Sequence, residues 1–234
     1  MAIVFRRVGH QTRVFQETEG GMSKTLNKDA RFWDKAARKY ALSAIADKDG
    51  YERSLQATTT YLNSADRVLE VGCGTGTTAL RLAPHVGHIH ATDISSEMIA
   101  IAREKAGLEP FRNIEFEVGA NEFLELAPDS FDAVLAFNLL HLVGSLEASL
   151  TCIYRLVKPG GQFISKTPCL SLMSPLIGLA IPVMKAIGKA PTVQMFTPCQ
   201  LQAAITGVGF EIDKIEWHGT RGKDVRPYII ATKP

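Results

Sequence analysis

Apolar residues recur along this chain with two periods, and the two periods separate its predicted strands from its predicted helices. Short, nearly continuous apolar runs are typical of strands buried on both faces of a parallel sheet. Apolar residues three or four positions apart, such as Trp33, Ala37 and Tyr40, are typical of amphipathic helices. Strands are predicted at 67–71, 88–95 and 113–119, within 130–143 (a strand and the segment that leaves it), at the end of 155–165, and at 210–217 and 226–232. Helices are predicted at 29–42, 51–62, 77–83, 95–107, 146–157 and 199–209.

The segment 67–78, RVLEVGCGTGTT, organises the rest of the chain. After its apolar run, Gly72, Gly74 and Gly76 occupy alternate positions, with only the small Cys73 and Thr75 between them. Glycine tolerates positive φ and has no Cβ, so the backbone can turn sharply and a ligand can lie against it. A strand, a glycine turn and a helix N-terminus together predict a site that cradles a nucleotide.

The spacing of this turn separates the classes of nucleotide ligand. A phosphate-binding loop would continue with lysine after its last glycine, and a dinucleotide fingerprint would carry a third glycine at the position of Thr77. Glu70, directly before the turn, would repel a pyrophosphate and favours a cationic ligand. The stretch resembles the first motif of class I S-adenosylmethionine-dependent methyltransferases, small-molecule branch, including quinone-ring enzymes.

The resemblance covers residues 29–234 and includes the segment RLVKPGGQFIS at 155–165. It implies an α/β, Rossmann-like three-layer sandwich whose seven-stranded sheet is mostly parallel, with an antiparallel last strand. It also implies N-terminal helices that close over the cofactor and a lid after strand five. The implied cofactor is S-adenosyl-L-methionine, which leaves as S-adenosyl-L-homocysteine.

Asp93 ends the second predicted strand, about 20 residues beyond the glycine turn, at the spacing where a carboxylate meets ribose hydroxyls. The alternative is a helix cap, although Ser95 or Ser96 can fill that role. The resemblance implies that Ile94 and Met98 flank the adenine, with a core position as the rival interpretation for Met98.

Two further groups of predicted cofactor contacts come from neighbouring segments. Tyr40 is either core-facing or an aromatic cap on the cationic sulfonium. Many members of the resembled family carry aspartate after the third strand, where this chain has Ala120, so the backbone amide or side chain of Asn121 is expected to hold the adenine edge.

Asn138 and His141 follow the fourth strand, at the sheet edge where ligands bind in open parallel sheets. Asn138 is predicted to contact the cofactor. His141 is the candidate general base, because imidazole exchanges its proton near neutral pH. The alternative is that His141 shapes its loop through a backbone hydrogen bond.

Composition narrows the classes of protein and of partner that fit this chain. Hydrophobic residues make up 46% and charged residues 21% of the 234 residues, and the net charge is +2, as in ordinary globular domains. There is no basic stripe interleaved with aromatic residues, so nucleic acid is not an expected partner. Four scattered cysteines without a C-x-x-C pair suggest neither a metal site nor a disulfide framework, and favour the cytoplasm.

The segments 1–22 and 168–192 differ from the rest of the chain. The first has no apolar core for secretion and is expected to be a poorly ordered extension before a methyltransferase domain at 23–234. The second is apolar but interrupted by Pro175, Pro182 and Lys185. It is too broken to span a bilayer convincingly and is interpreted as a lid, a dimer contact or a helix resting on a membrane surface. The chain is therefore expected to be a monomer or a homodimer.

The predicted function is methyl transfer by in-line displacement to a small, partly hydrophobic molecule. A positioned nucleophile is the main requirement of such a reaction. The alternative is a non-catalytic protein that binds S-adenosylmethionine as a sensor or assembly partner. A nicotinamide dehydrogenase is disfavoured by Glu70 and Thr77.

Overall fold

The computed structural model describes residues 16–120, 126–172, 184, 190–222 and 224–234. The helices are α1 (Gln16–Leu42), α2 (Lys48–Thr59), α3 (Thr77–Leu82), α4 (Ser96–Ala106), α5 (Leu146–Leu156) and α6 (Pro198–Gly207), with 3-10 turns at Ala83–His85 and Leu170–Leu172. The strands are β1 (Arg67–Val71), β2 (His88–Asp93), β3 (Ile114–Val118), β4 (Phe131–Phe137), β5 (Val157–Lys166), β6 (Glu211–Glu216) and β7 (Tyr228–Thr232).

The seven described strands form one sheet in the order β3-β2-β1-β4-β5-β7-β6. Strands β1 to β5 pair in parallel, whereas β7 lies antiparallel between β5 and β6. This arrangement confirms the expected mostly parallel sheet with an antiparallel last strand. The strand order reverses direction between β1 and β4, and ligands bind at such reversals in open α/β sheets.

Each face of the sheet carries its own apolar core, as expected for a three-layer sandwich. On one face, α5 and α6 cover a cluster in which the rings of Phe163 and Phe210 stack with centroids 5.2 Å apart. On the other, α2, α3 and α4 cover a second cluster. There the hydroxyl of buried Tyr228 meets Thr58 Oγ1 at 2.8 Å, so the phenol is not left unsatisfied.

Several helix boundaries differ from the sequence prediction. Helix α1 begins at Gln16, well before residue 29, and α2 lies a few residues earlier than predicted. Helix α5 ends at Leu156, one residue before the predicted end. The Pro-Gly-Gly segment lies inside β5, at a register shift against β4. Gly160 takes a left-handed conformation there, with φ of 76°.

Helix α6 begins as its sequence predicts. Thr197 is the N-cap, Pro198 occupies the first turn, and the side chains of Thr197 and Gln200 exchange hydrogen bonds with each other's backbone amides. This capping box satisfies two amides that the helix start would otherwise leave unpaired. Within the described stretches, none of the helices combines the length and the apolar character needed to cross a membrane.

Gly76 and Gly160 form a matched pair for testing how the glycine turn packs. Both have positive φ, 73° and 76°, but a Cβ on Gly76 would lie 2.8 Å from Ala102 Cβ and Phe116 Cε1, whereas one on Gly160 would meet nothing within 4 Å. We expect Gly160→Ala to lower the free energy of unfolding by about 1–2 kcal/mol through backbone strain alone. Gly76→Ala adds overpacking and should cost about 2–5 kcal/mol.

Urea unfolding followed by far-UV circular dichroism measures both losses. Equal losses in the two variants would show that the packing of α4 and β3 around Gly76 relaxes without cost.

Candidate cofactor and substrate cleft

A cleft opens at the carboxyl ends of the parallel strands, where the strand order reverses between β1 and β4. Its empty volume, including space open to solvent, is about 830 Å³, within the range of small-molecule sites. The lining residues are Leu26, Asp29, Trp33, Tyr40, Gly72, Gly74, Asp93, Ile94, Met98, Gly119, Ala120, Phe137, Asn138, Leu139, Leu142, Val143 and Gly144.

The turn after β1 has the geometry that its three glycines predict. Gly72, Gly74 and Gly76 all have positive φ, between 54° and 73°. A Cβ on Gly74 would have only Tyr40 Cε1 nearby, at 3.8 Å, so this backbone faces open space. Because the turn exposes main chain rather than side chains at this point, a flat or charged ligand can approach it closely.

The Asp93 carboxylate holds the turn in place. Gly74 N donates to Asp93 Oδ2 at 2.9 Å, and Ser95 N donates to Asp93 Oδ1 at 2.9 Å. Burial raises the pKa of Asp93, and these two amides partly offset the shift. Helix α4 is capped by Ser95, whose Oγ accepts from Met98 N at 3.1 Å. The side-chain cap therefore comes from Ser95, and Asp93 lines the cleft.

Glu70 lies behind the turn, and it is not among the residues that line the cleft. Its side chain is only 2% exposed, and Oε2 has no hydrogen-bond partner among the described residues. Burial raises its pKa to about 8, an amide hydrogen bond from Ala79 lowers it, and nearby Asp93 raises it further. Cys73 and Gly76 are also absent from the cleft lining; burial holds the pKa of the Cys73 thiol well above its usual value.

Tyr40 and Trp33 of α1 both line the cleft. The two rings meet edge to face with centroids 6.5 Å apart, and Tyr40 remains 52% exposed. Tyr40 is therefore not a core side chain. Burial of its hydroxyl raises its pKa, as do the charges of Asp93 and Glu70. An electron-rich ring beside two acidic groups forms an environment that favours a cation.

The predicted adenine contacts are partly placed by the structure. Ile94 and Ala120 line the cleft, and Asn121 lies outside the described residues. Met98 lines the cleft and also packs in a small buried cluster with Ala37 and Ile101, so it is a core residue, and its contact with adenine stays a prediction.

Asn138 and His141 differ in their relation to the cleft. Asn138 lines the cleft and adopts a φ of 53°, and its backbone N–H donates to Lys166 O at 2.7 Å. His141 is not a lining residue; its carbonyl accepts from Gln194 N at 2.7 Å. Its Nδ1 is buried with no hydrogen-bond partner among the described residues, and burial lowers its pKa to about 4.

Sequence reasoning did not identify several lining residues. Most are apolar side chains of α1 and of the segment after β4, and their periodicity or composition does not distinguish a cleft wall from a core. Asp29 had no motif to mark it. The missed residues are Leu26, Asp29, Trp33, Gly119, Phe137, Leu139, Leu142, Val143 and Gly144. Residues 173–183 and 185–189 of the expected lid lie outside the described residues.

Comparison with known proteins adds to this geometry. Residues 68–161 match a family model described as a methyltransferase domain. The chain is 30% identical over 150 residues to a demethylmenaquinone methyltransferase of Symbiobacterium thermophilum, covering 61% of this chain and 58% of that protein. It is 38% identical over 102 residues to a ubiquinone/menaquinone biosynthesis C-methyltransferase of Methylobacterium nodulans, covering 42% and 40%.

Among solved structures, a S-adenosylmethionine-dependent methyltransferase from Methanosarcina mazei superposes with a TM-score of 0.63 at 24% identity. The match covers 76% of this chain and 96% of that one, and it shows a shared fold. The chain spans about half the length of the curated relatives it matches.

The reversed strand order and the glycine turn define a Rossmann-like fold with a ligand-sized cleft at its sheet edge. Residues 68–161 thus match a methyltransferase domain, and the chain is similar to methyltransferases of quinone biosynthesis. The described residues fit S-adenosylmethionine, the cofactor that such a domain implies. The backbone at Gly74 is open, Asp93 presents acceptor oxygens, and the unpartnered Oε2 of Glu70 lies behind the turn.

Glu70 makes the stability of the ligand-free protein depend on pH. Its pKa is about 8 in the folded chain and about 4.5 when exposed. Between these values the unfolded chain loses the proton and the folded chain keeps it. The free energy of unfolding should therefore fall as pH rises, by up to about 1.4 kcal/mol per pH unit, and level off above pH 8.

Glu70→Gln should remove this slope, as measured by urea unfolding at a series of pH values. Glu109→Gln, the same substitution at an exposed glutamate, is the control and should keep the slope. Identical pH profiles for the wild type and Glu70→Gln would contradict a protonated Glu70.

Proposed function

We propose that this protein transfers the methyl group of S-adenosylmethionine to a small, partly hydrophobic molecule. The observation that carries the proposal is one cleft with two kinds of wall. One wall combines the open Gly74 backbone with the Asp93 carboxylate, and the other is made of apolar side chains such as Leu142 and Val143. The relatives named for quinone biosynthesis support a small acceptor of this kind.

Each cofactor-binding role follows from a described contact. Asp93 would accept hydrogen bonds from the ribose hydroxyls, because each carboxylate oxygen holds a further lone pair beside its backbone amide. Gly72 and Gly74 have no side chains, so the cofactor could lie directly against their main chain. Tyr40 would face the cationic end of the cofactor. The bound cofactor supplies an activated methyl group on a sulfonium. The chain then has to orient the acceptor and exclude water.

His141 is retained as the candidate general base, but the geometry gives it little support. A base works best when its pKa lies near the working pH, and burial holds the pKa of His141 near 4. Its side chain is also not among those that line the cleft. We therefore place the main contribution of this chain in positioning the acceptor.

We extend the methyltransferase domain over residues 23–234 and assign 168–192 as its lid. Described residues near both ends of the segment favour this assignment. Ser171 Oγ donates to Phe196 O at 2.6 Å, and Gln194 Nε2 donates to Gly144 O at 2.8 Å, beside the cleft. The ends of the segment are thus fastened next to the proposed substrate position.

The proposal is tested by calorimetric titration of the protein with S-adenosylmethionine, S-adenosylhomocysteine and NAD. We expect heat of binding with the first two ligands only, followed by release of S-adenosylhomocysteine when quinols, phenols and amines are screened as acceptors. Binding of NAD without binding of either adenosyl ligand would overturn the proposal.

Asp93→Ala should weaken the binding of S-adenosylhomocysteine by on the order of 2 kcal/mol, or about 30-fold, because hydrogen bonds to a charged acceptor are lost. Asp49→Ala, at an exposed aspartate of α2, removes the same charge outside the cleft and serves as the control. Unchanged affinity in Asp93→Ala would rule out the ribose contact.

A further inference from the structure

Asp29 is a second buried carboxylate in the wall of the cleft, and the mechanism above does not use it. It lies on α1, is 8% exposed, and lines the cleft together with Leu26 and Trp33 of the same helix. Asp29 and Trp33 lie three and seven positions after Leu26, so the three side chains share one face of the helix. Asp29 therefore faces the cleft from within an apolar strip of α1.

Along α1, Asp29 is well separated from the residue that contacts the glycine turn. Tyr40, which is next to Gly74, is eleven residues further along the helix, a distance of about 16 Å at 1.5 Å per residue. Thr192 N donates to Asp29 Oδ1 at 2.8 Å. The segment that contains Thr192 continues to Gln194, which is bonded to Gly144 of the cleft lining. Asp29 is thus anchored to the segment that bonds to Gly144.

The charges that line the cleft point to the kind of molecule that fits there. The described lining residues include the carboxylates Asp29 and Asp93 and no lysine, arginine or histidine. A carboxylate in an apolar wall is costly to bury unless it accepts hydrogen bonds. These carboxylates would repel an anionic methyl acceptor. A methyl acceptor with a hydroxyl or an ammonium group could instead donate a hydrogen bond to one of them.

We propose that Asp29 is a specificity-determining residue, and that its carboxylate accepts a hydrogen bond from a hydroxyl or ammonium group on an otherwise apolar methyl acceptor. Oδ1 is held by the Thr192 amide, which fixes the carboxylate in place, and Oδ2 makes the contact to the acceptor. The inference rests on the proposed function, because it assigns the substrate class of the same cleft.

Four probes with one apolar skeleton test the proposal: naphthol, naphthylmethylamine, naphthoate and naphthalene. Each is titrated by calorimetry into protein saturated with S-adenosylhomocysteine. We expect naphthol and naphthylmethylamine to bind at least tenfold more tightly than naphthalene, and naphthoate to bind most weakly.

Asp29→Asn is the decisive variant. Its amide oxygen can still accept from Thr192 N, while its nitrogen presents a donor to the cleft. The preference for the two donor probes should fall about tenfold or more, because the charged hydrogen-bond acceptor is lost. The affinity for naphthoate should rise. Asp49→Asn, an exposed position of equal charge, should leave all four affinities unchanged.

The affinity for S-adenosylhomocysteine is measured in every variant and separates the two hypotheses. If the wild type binds no S-adenosylhomocysteine, the proposed function fails. If that affinity is intact, equal probe affinities in wild type and Asp29→Asn would overturn the role of Asp29 alone. Preference of the wild type for naphthoate, or no binding of either donor probe, would overturn it as well.

Discussion

A single carboxylate fixes the geometry on which the cleft depends. Asp93 accepts the amide of Gly74 with one oxygen and the amide of Ser95 with the other. It thereby ties the turn after β1 to the start of α4. Hydrogen bonds to a charged acceptor are each worth about 1.5–3 kcal/mol, enough to hold a turn of left-handed residues in one conformation. The same side chain faces the cleft, so the fold and the binding site share this constraint.

Concentrating acidic groups around this turn has an electrostatic cost that a cation would offset. Burial is the main reason that the pKa of Glu70 is raised to about 8, and the charge of Asp93 raises it further. The ligand-free protein therefore keeps a proton on Glu70 near neutral pH. A bound sulfonium and ammonium would supply positive charge on the cleft side instead. The negative surroundings that disfavour a pyrophosphate therefore also explain why the cleft suits an adenosyl sulfonium.

Two polar residues of α1 line the cleft far apart along the helix. Tyr40 lies beside the glycine turn, and Asp29 lies about 16 Å from it along the helix axis. Helix α1 packs on α4 through Asp34, which accepts from Ser95 Oγ at 2.7 Å. The position of α1 is thus coupled to the residue that caps α4 and lies next to Asp93. A movement of α1 would change both ends of the cleft together.

The sequence alone determined the sheet, the glycine turn and the cleft-lining position of Asp93, because each depends on local patterns: apolar runs, φ-permissive residues and a fixed spacing between strand ends. Tyr40 and Asn138, which it predicted as cofactor contacts, line the cleft. Only the tertiary structure decided that Glu70 is buried away from the cleft, and that Asp29 and Leu142 line it. These positions follow from how α1 and the segment after β4 pack across the sheet edge, a long-range arrangement that local periodicity does not encode.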